Sequence, residues 1–377
     1  MYIIERIISI AIFLLINFIT AFVLMKSGDN YKHIKRVLIF YVFILCVISF
    51  FYVPSTTSDL TRLRIYIDNV YSNMTFRKYL EVLSSTPTFT THTYYYIISK
   101  IGIKELLSVI SCLINYSIMS YVLYDYAKTN KLNGKAMAKA ILLYAFIGEY
   151  IEVVSGIRSM CAYSIYFLCI YREFFQKKEI TSNLVLYLLS VGFHTSAVPL
   201  VFARFIFLLF QKENVIAKKI FNILVCIVLL YISIKYGNTI IEATTTKAEN
   251  YLNNDIFSYF WTQLSTILMI VLILTTYFSN NKIIKESFHK NYINFFRIFV
   301  TFNIISIFLD YSIFRRYSRI SIMLFLPIVM CIFNKDNLNN KKYFIKSKNI
   351  IYYIISIAIL LIEASRGDLC GIRFFTF

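Results

Sequence analysis

Arginine and histidine residues form short polar clusters beside long apolar runs of the sequence. In residues 154–160, Gly156 is followed closely by Arg158. Gly156 predicts a helix break, so Arg158 lies at the start of the next helix, where unpaired backbone N–H groups carry partial positive charge. An arginine there destabilises the helix unless an anion is near. An anionic ligand suits this position, and Glu149 or Glu152, about one turn earlier, is the alternative counter-ion within the chain.

Two further clusters carry the same kind of chemistry. His194 ends a short apolar run, and an imidazole that titrates near neutrality can take a proton from a hydroxyl group. The alternative is a structural histidine, held by a neighbouring carbonyl or hydroxyl. Three arginines follow Asp310: Arg315, Arg316 and Arg319. Arg316 and Arg319 are three residues apart and share a face of a helix. Asp310 supplies a single negative charge, and a diphosphate would neutralise the remaining positive charge.

An earlier polar segment, residues 58–66, contains Asp59, Arg62 and Tyr66. The sequence has no Walker loop, GxGxxG, GxSxG or HExxH motif. Its four histidines are scattered along the chain, which argues against a metal centre, and no cofactor is expected.

The elements that must position these residues are membrane helices. The chain is 58% hydrophobic and only 16% charged, with a mean hydropathy of +0.65. This composition excludes a soluble multidomain enzyme, and its aromatic content of 18% excludes a disordered chain. Apolar runs near the roughly 20 residues of a membrane span predict an all-α polytopic membrane protein with about twelve spans. The predicted spans are 7–25, 37–53, 106–124, 136–153, 159–175, 184–197, 200–210, 220–236, 260–278, 293–309, 320–333 and 350–362. The sixth and seventh are short and meet at Pro199, which predicts a broken or tightly turned pair.

The distribution of basic residues predicts an orientation. With both termini outside, every inside loop is basic, as the positive-inside rule requires. Lysine provides 20 of the 22 basic residues in these inside loops, whereas ten of the 15 outside basic residues are arginine. Arginine binds phosphate with two parallel hydrogen bonds, so this asymmetry favours an outer-face site for an anionic ligand; compositional drift is the alternative.

The whole chain is predicted to form a single transmembrane domain, 1–377, with outer-face loops at 54–105 and 235–258. Residues 89–101 are expected to form an amphipathic or re-entrant helix. The net charge of +19 might suggest nucleic acid, but the charges lie in short clusters between apolar runs and form no continuous basic face, so no nucleic acid partner is expected.

The residues resemble a known pattern. Gly156-Ile157-Arg158 at the opening of a span, a lysine-containing inside loop and Gly192-Phe193-His194-Thr195-Ser196-Ala197 at the end of the next span resemble the EpsG-type Wzy polymerase family. That family has an IRQ-like triplet and an FHxSA-like segment. Asp59 with Tyr66 is similar to its early D-x(n)-Y segment, and Arg316 with Arg319 is similar to its late arginine-containing outer loop. Ser159 stands where the family pattern has Gln.

The resemblance implies a metal-independent membrane glycosyltransferase, similar to lipid-dependent GT-C-like enzymes, in a bacterial inner membrane. Such an enzyme polymerises O-antigen, capsular or exopolysaccharide repeat units carried on undecaprenyl diphosphate. Its expected partners are that lipid-linked oligosaccharide, membrane lipids and a chain-length regulator. Arg158, Arg316 and Arg319 are expected to hold the diphosphate, and His194 or Asp59 to activate the acceptor hydroxyl. The other expected substrate-binding residues are Arg62, which either orients Asp59 or binds glycan, Arg315 and Tyr66.

Three other functions remain open from the sequence. A flippase for the same lipid-linked sugar also needs intramembrane arginine, although it would place cationic residues down a central cavity. An acyltransferase acting on glycan would need a histidine–acid pair on the inner or central side. A purely structural membrane protein is the third alternative.

Overall fold

The computed structural model describes residues 2–56, 58–148, 150–210, 256–279, 290–308 and 311–335, with isolated positions between 220 and 231, at 284 and 288, and between 354 and 362. Within these residues all regular secondary structure is helical, which confirms the all-α prediction. The predicted outer loop at 235–258 lies outside the described residues apart from its last three positions, and Glu149 and Asp310 also lie outside them.

The helices follow one another with short connections. Their bounds are α1 Tyr2–Ser27, α2 Tyr31–Phe50, α3 Asp59–Tyr66, α4 Phe76–Ser85, α5 Phe89–Ile101, α6 Leu106–Thr129, α7 Gly134–Ile147, α8 Tyr150–Ser155, α9 Ile157–Phe174, α10 Leu184–Phe193, α11 Ala197–Leu209, α12 Ile256–Ser279, α13 Lys290–Ser306 and α14 Tyr311–Lys335. A π-helical turn, Ile67–Tyr71, extends α3, and a 3₁₀ turn, Ile180–Asn183, precedes α10.

Four helices are long and apolar enough to cross a membrane: α1, α2, α6 and α14. Shorter apolar helices include α10, α11 and the greater part of α12. The protein is therefore an integral membrane protein with several spanning helices. The total of about twelve spans and the outward position of both termini stay predictions.

The polarity of the bundle is that of a protein immersed in lipid. Large apolar side chains such as Phe40, Phe43 and Val185 are exposed on its surface. Asparagines are fully buried instead, and they join helices: Tyr144 Oη donates to Asn115 Oδ1 at 2.9 Å, linking α7 to α6. In a bilayer the polar groups must be satisfied internally, so these bonds fix how the helices pack.

Helix α14 is the central helix of the described bundle. Its apolar span is 94% buried, whereas that of α1 is 33% buried. It packs against α7, α12 and α13, and it also contacts α6 and α9. Three arginines near its first residues are consequently held inside the protein, close to the start of α9.

Residues 54–105, which the sequence predicts to be an outer-face loop and which are called the outer segment here, consist largely of helices. Helix α5 has the predicted bounds, Phe89–Ile101, and packs against α10. Thr91 Oγ1 donates to the carbonyl of Phe193 at 2.6 Å, at the end of α10. Gly192 permits this approach, because a Cβ there would lie 2.3 Å from Thr90 Oγ1. The outer segment is thereby attached to the turn that carries His194.

Two predicted spans are placed wrongly. The apolar run 136–153 is not one helix: α7 ends at Ile147, and α8 is a separate short helix. Helix α8 ends at Ser155, so its last carbonyl groups have no partner within the helix. Serines of α6 occupy two of them, since Ser108 Oγ donates to Val154 O at 2.8 Å and Ser111 Oγ to Val153 O.

The second correction concerns the pair predicted at 184–197 and 200–210. The turn between α10 and α11 falls at residues 194–196 and not at Pro199. Pro199 lies in the first turn of α11, where its missing N–H group has no intrahelical partner to lose.

Candidate functional site

The arginines of α14 meet a carboxylate from α8. Nη2 of Arg315 and Nη2 of Arg319 each lie 2.9 Å from Oε1 of Glu152. All three side chains are largely buried, with exposures of 18%, 6% and 20%. Arg315 and Arg319 are four residues apart, so one helix turn places both guanidinium groups on the same carboxylate oxygen. Glu152, one of the two alternative counter-ions predicted for Arg158, thus pairs with Arg315 and Arg319 instead.

Arg316 faces the same region without a carboxylate partner. Its charge and that of Arg319 act on the hydroxyl of Tyr163 in α9, and so does the charge of Glu152. Among the described residues, neither Arg316 nor Arg158 forms an ion pair. Among the described side chains of this region, arginines therefore outnumber carboxylates, an arrangement that favours an anionic ligand.

A chain of hydrogen bonds joins Tyr163 to His194. Tyr163 Oη lies 2.8 Å from Ser196 Oγ, which lies 2.7 Å from Nδ1 of His194. The backbone N–H of Ser196 also donates to Nδ1, at 3.1 Å. A ring nitrogen that accepts from a backbone N–H carries no proton, so the neutral imidazole has its proton on Nε2. These bonds thus join His194 to Tyr163, on whose hydroxyl the charges of Arg316 and Arg319 act.

Arg158 lies near the outer segment. Its positive charge acts on His92 and on the buried hydroxyl of Tyr95, both in α5. Burial, and after it the charge of Arg158, lowers the pKa of His92 below its ordinary value, so this ring is neutral at pH 7. The charge of Asp59 also acts on Tyr95, and the ring of Tyr66 meets that of Tyr95 edge-on at 6.4 Å. Asp59, Tyr66 and Arg158 therefore surround one side chain.

The Asp59 carboxylate pairs with Arg62 one turn later in α3. This contact is the one required if Arg62 orients Asp59, which is one of the two roles predicted for Arg62. Ser58 caps this helix, since its Oγ accepts from the backbone N–H of Thr61 at 3.2 Å. Both charged side chains are well exposed to the outside of the bundle. The pair is thus accessible to a large ligand, but among the described residues no hydrogen bond or ion pair joins it directly to the arginines of α14.

Several side chains of the site were missed from the sequence. Tyr163 and Tyr95 lie within apolar runs rich in tyrosine, so nothing local distinguishes them from packing residues. Ser196 belongs to the segment that contains His194. Its position two residues after His194 is the one feature of the sequence that indicates a contact between the two side chains. Glu152 was noticed but given the wrong partner, because its partners lie 163 and 167 residues later in the chain.

A second buried ion pair lies away from these clusters. Arg204 Nε in α11 lies 2.7 Å from Glu173 Oε2 in α9, and both side chains are only 4% exposed. The guanidinium carbon of Arg204 is 4.3 Å from the centre of the Phe174 ring. Tyr187 Oη donates to the other oxygen of Glu173 at 2.7 Å. This pair ties α9, α10 and α11 together, and its role is structural.

The described part of the chain contains no group of three His, Cys, Asp or Glu side chains placed to hold a metal ion. A comparison with known proteins finds a match to the EpsG family over residues 70–370. The chain belongs to the EpsG family. This is a membrane family of the polysaccharide-polymerase type. Neither the curated proteins nor the solved structures include a match to the chain.

The extent of the match bears on the candidate residues of this EpsG-family chain. Arg158, His194 and the arginines of α14 lie inside the matched range, whereas Asp59, Arg62 and Tyr66 precede it. The family assignment therefore rests on the part of the chain that contains the arginine–glutamate cluster and the histidine network.

Proposed function

We propose that this EpsG-family protein is a membrane glycosyltransferase that polymerises lipid-linked repeat units at the outer face of a bacterial cell membrane. The donor is a glycan chain on undecaprenyl diphosphate, and the acceptor is a hydroxyl of the terminal sugar of another lipid-linked unit. One observation carries the proposal: Arg315 and Arg319 share the carboxylate of Glu152, and the charges of Arg316 and Arg319 act on Tyr163 in α9, the helix whose first turn contains Arg158.

The leaving group explains why arginines are needed. As the anomeric bond breaks, negative charge grows on the diphosphate oxygen that departs with the lipid. Guanidinium groups stabilise that charge more strongly in the transition state than in the ground state, which is what accelerates the reaction. We assign this role to Arg158, Arg316 and Arg319, with Arg315 as a further binding residue. The reaction needs no metal ion in this scheme.

The tautomer of His194 separates the roles of the two candidate bases. Because Nδ1 accepts from Ser196, the neutral ring presents Nε2–H, which is a hydrogen-bond donor and not a base. We therefore assign His194 to donate a hydrogen bond to the substrate. Asp59 is the residue that accepts the proton of the acceptor hydroxyl, and Arg62 orients its carboxylate. Tyr66 is assigned to contact the glycan, as aromatic faces commonly do.

The deciding experiment compares polysaccharide from a deletion strain with that from strains complemented by variants. Loss of a polymerase leaves a single repeat unit on lipid, whereas loss of a flippase leaves no repeat unit at the cell surface. Arg158→Glu should reproduce the single-repeat pattern, while the exposed control Arg77→Glu should restore long chains. Normal chain lengths from Arg158→Glu would contradict the assignment.

Reconstitution tests the reaction directly. The purified protein in liposomes, supplied with lipid-linked repeat units, should form a ladder of products without added metal and in the presence of EDTA. Export of the intact unit without any ladder would instead favour the flippase function.

A further inference from the structure

Glu152 occupies the position at which the proposed reaction needs a phosphate group. Its Oε1 atom accepts a hydrogen bond from Nη2 of Arg315 at 2.9 Å, and Nη2 of Arg319 forms an ion pair with the same oxygen at 2.9 Å. This is the coordination that arginines give to a phosphate oxygen.

The second oxygen of Glu152 lies at the start of α9. A Cβ atom at Gly156, the N-cap residue of α9, would lie 2.8 Å from Oε2. Glycine therefore leaves room for the carboxylate to turn towards the helix N-terminus, where unpaired N–H groups carry partial positive charge. Guanidinium groups on one side and a helix start on the other are the surroundings of a bound phosphate.

We propose that Glu152 is the resident counter-ion of the arginine site and that a phosphate oxygen of the bound lipid diphosphate replaces it there. The identity of the anion rests on the proposed function, whereas the exchange of one anion for another does not. In the empty site Glu152 holds Arg315 and Arg319 in position. When the diphosphate binds, the carboxylate leaves the two arginines and turns towards the exposed side of the cluster.

The charge balance favours exchange over a permanent structural bond. The charge of Arg316 acts on the Tyr163 hydroxyl together with those of Arg319 and Glu152, and Arg316 has no ion pair among the described residues. These side chains can therefore neutralise an anion of higher charge than one carboxylate. Glu152 retains 20% exposure, in contrast with the 4% of Glu173 in the structural pair of α9 and α11. A carboxylate at that level of exposure can leave its partners and enter water at low cost.

Exchange also affects product release. Lipid diphosphate, the leaving group, would bind the three guanidinium groups of α14 tightly, and a carboxylate that returns to Arg315 and Arg319 competes with it. Removal of the Glu152 charge should therefore strengthen anion binding and slow turnover together. If the ion pair of Glu152 were purely structural, its loss would disorder the arginines and weaken anion binding.

The test uses inorganic pyrophosphate as the probe and the full-length protein in nanodiscs. Binding is measured by titration calorimetry for the wild type, Glu152→Gln, Glu152→Asp and the control Glu81→Gln, whose carboxylate pairs with Arg77 on the exposed surface. We expect Glu152→Gln to lower the Kd for pyrophosphate at least tenfold, about 1.4 kcal/mol. Glu152→Asp, which withdraws the charge by one methylene, should lower it about threefold, about 0.65 kcal/mol by the same conversion. Glu81→Gln should leave it unchanged.

Unchanged or weaker binding in both Glu152 variants would overturn the proposal, and so would a wild-type protein that binds no pyrophosphate. If Glu152→Gln does not fold, Glu152→Asp decides, since it retains the charge. The polymerisation assay is separate: Glu152→Gln should lower kcat and KM together. A gain in pyrophosphate affinity without any polymer from the wild type would refute the proposed function and leave the exchange intact.

Discussion

The buried pair Arg204–Glu173 offers the sharpest test of how the bundle is held together. Arg204→Met removes the guanidinium group but retains a flexible apolar side chain against Phe174. It leaves the carboxylate of Glu173 buried with Tyr187 as its remaining close donor, at 2.7 Å, and with the amide of Asn183 at 3.2 Å. An unpaired buried charge costs about 3–5 kcal/mol, so we expect Arg204→Met to lower the free energy of unfolding by that amount.

A second variant and the double variant complete a double-mutant cycle, which isolates the effect of the charge on Glu173. Glu173→Gln keeps an oxygen that accepts from Tyr187 and Asn183, and it removes only the negative charge. The double variant Arg204→Met/Glu173→Gln then has no unpaired charge and should lie within about 1 kcal/mol of the wild type. The two single variants should each be less stable than the double variant, which is strong non-additivity.

The assay is unfolding in mixed micelles titrated with SDS and followed by circular dichroism. Arg77→Met is the matched control, because the Arg77–Glu81 pair is exposed, at 92% and 65%, and its loss should leave the unfolding midpoint unchanged. An Arg204→Met variant as stable as this control would refute the reasoning. So would a double variant whose destabilisation equals the sum of the two single effects.

Four other outcomes are expected. Arg158→Lys should lower polymerisation about tenfold or more, measured as product per minute on lipid-linked units, because a lysine cannot bind the diphosphate through two parallel bonds. Gly192→Ala should lower the unfolding midpoint, since its Cβ would meet Thr90 Oγ1 at 2.3 Å and push α5 away from α10; an unchanged midpoint would contradict that packing. Tyr163→Phe should lower kcat about two- to tenfold with KM nearly unchanged, because it removes one bond, of about 0.5–1.5 kcal/mol, from the histidine network. His92 has a lowered folded-state pKa, so the unfolded chain binds more protons below about pH 6.5. The wild type should therefore lose stability on acidification from pH 7 to pH 5.5, and His92→Gln should lose less.

The local features of the fold were predictable from the sequence, and the partners of the site were not. The bounds of α5 and the start of α9 after Gly156 follow from short-range patterns of apolar residues and helix breakers. The break between α7 and α8 was missed because most of the run 136–153 is apolar and Gly148, which follows the last residue of α7, was not taken as a helix end.

The arginine cluster illustrates the same limit. Sequence spacing grouped Arg316 with Arg319 on one face of a helix, and both do act on Tyr163. The closest partner of Arg319 is nevertheless Glu152, which it shares with Arg315, because α8 ends beside the first turns of α14. Which carboxylate meets which arginine depends on the packing of helices far apart in the sequence, and no local pattern encodes that packing.

The small space above Gly156 has a consequence for sequence variation. A side chain at this position would strike the Glu152 carboxylate, which in turn is the shared partner of two arginines. Positions 152, 156, 315 and 319 are thus expected to change as a group among related chains: where position 156 gains a side chain, position 152 should lose its acid and one of the two arginines should become neutral.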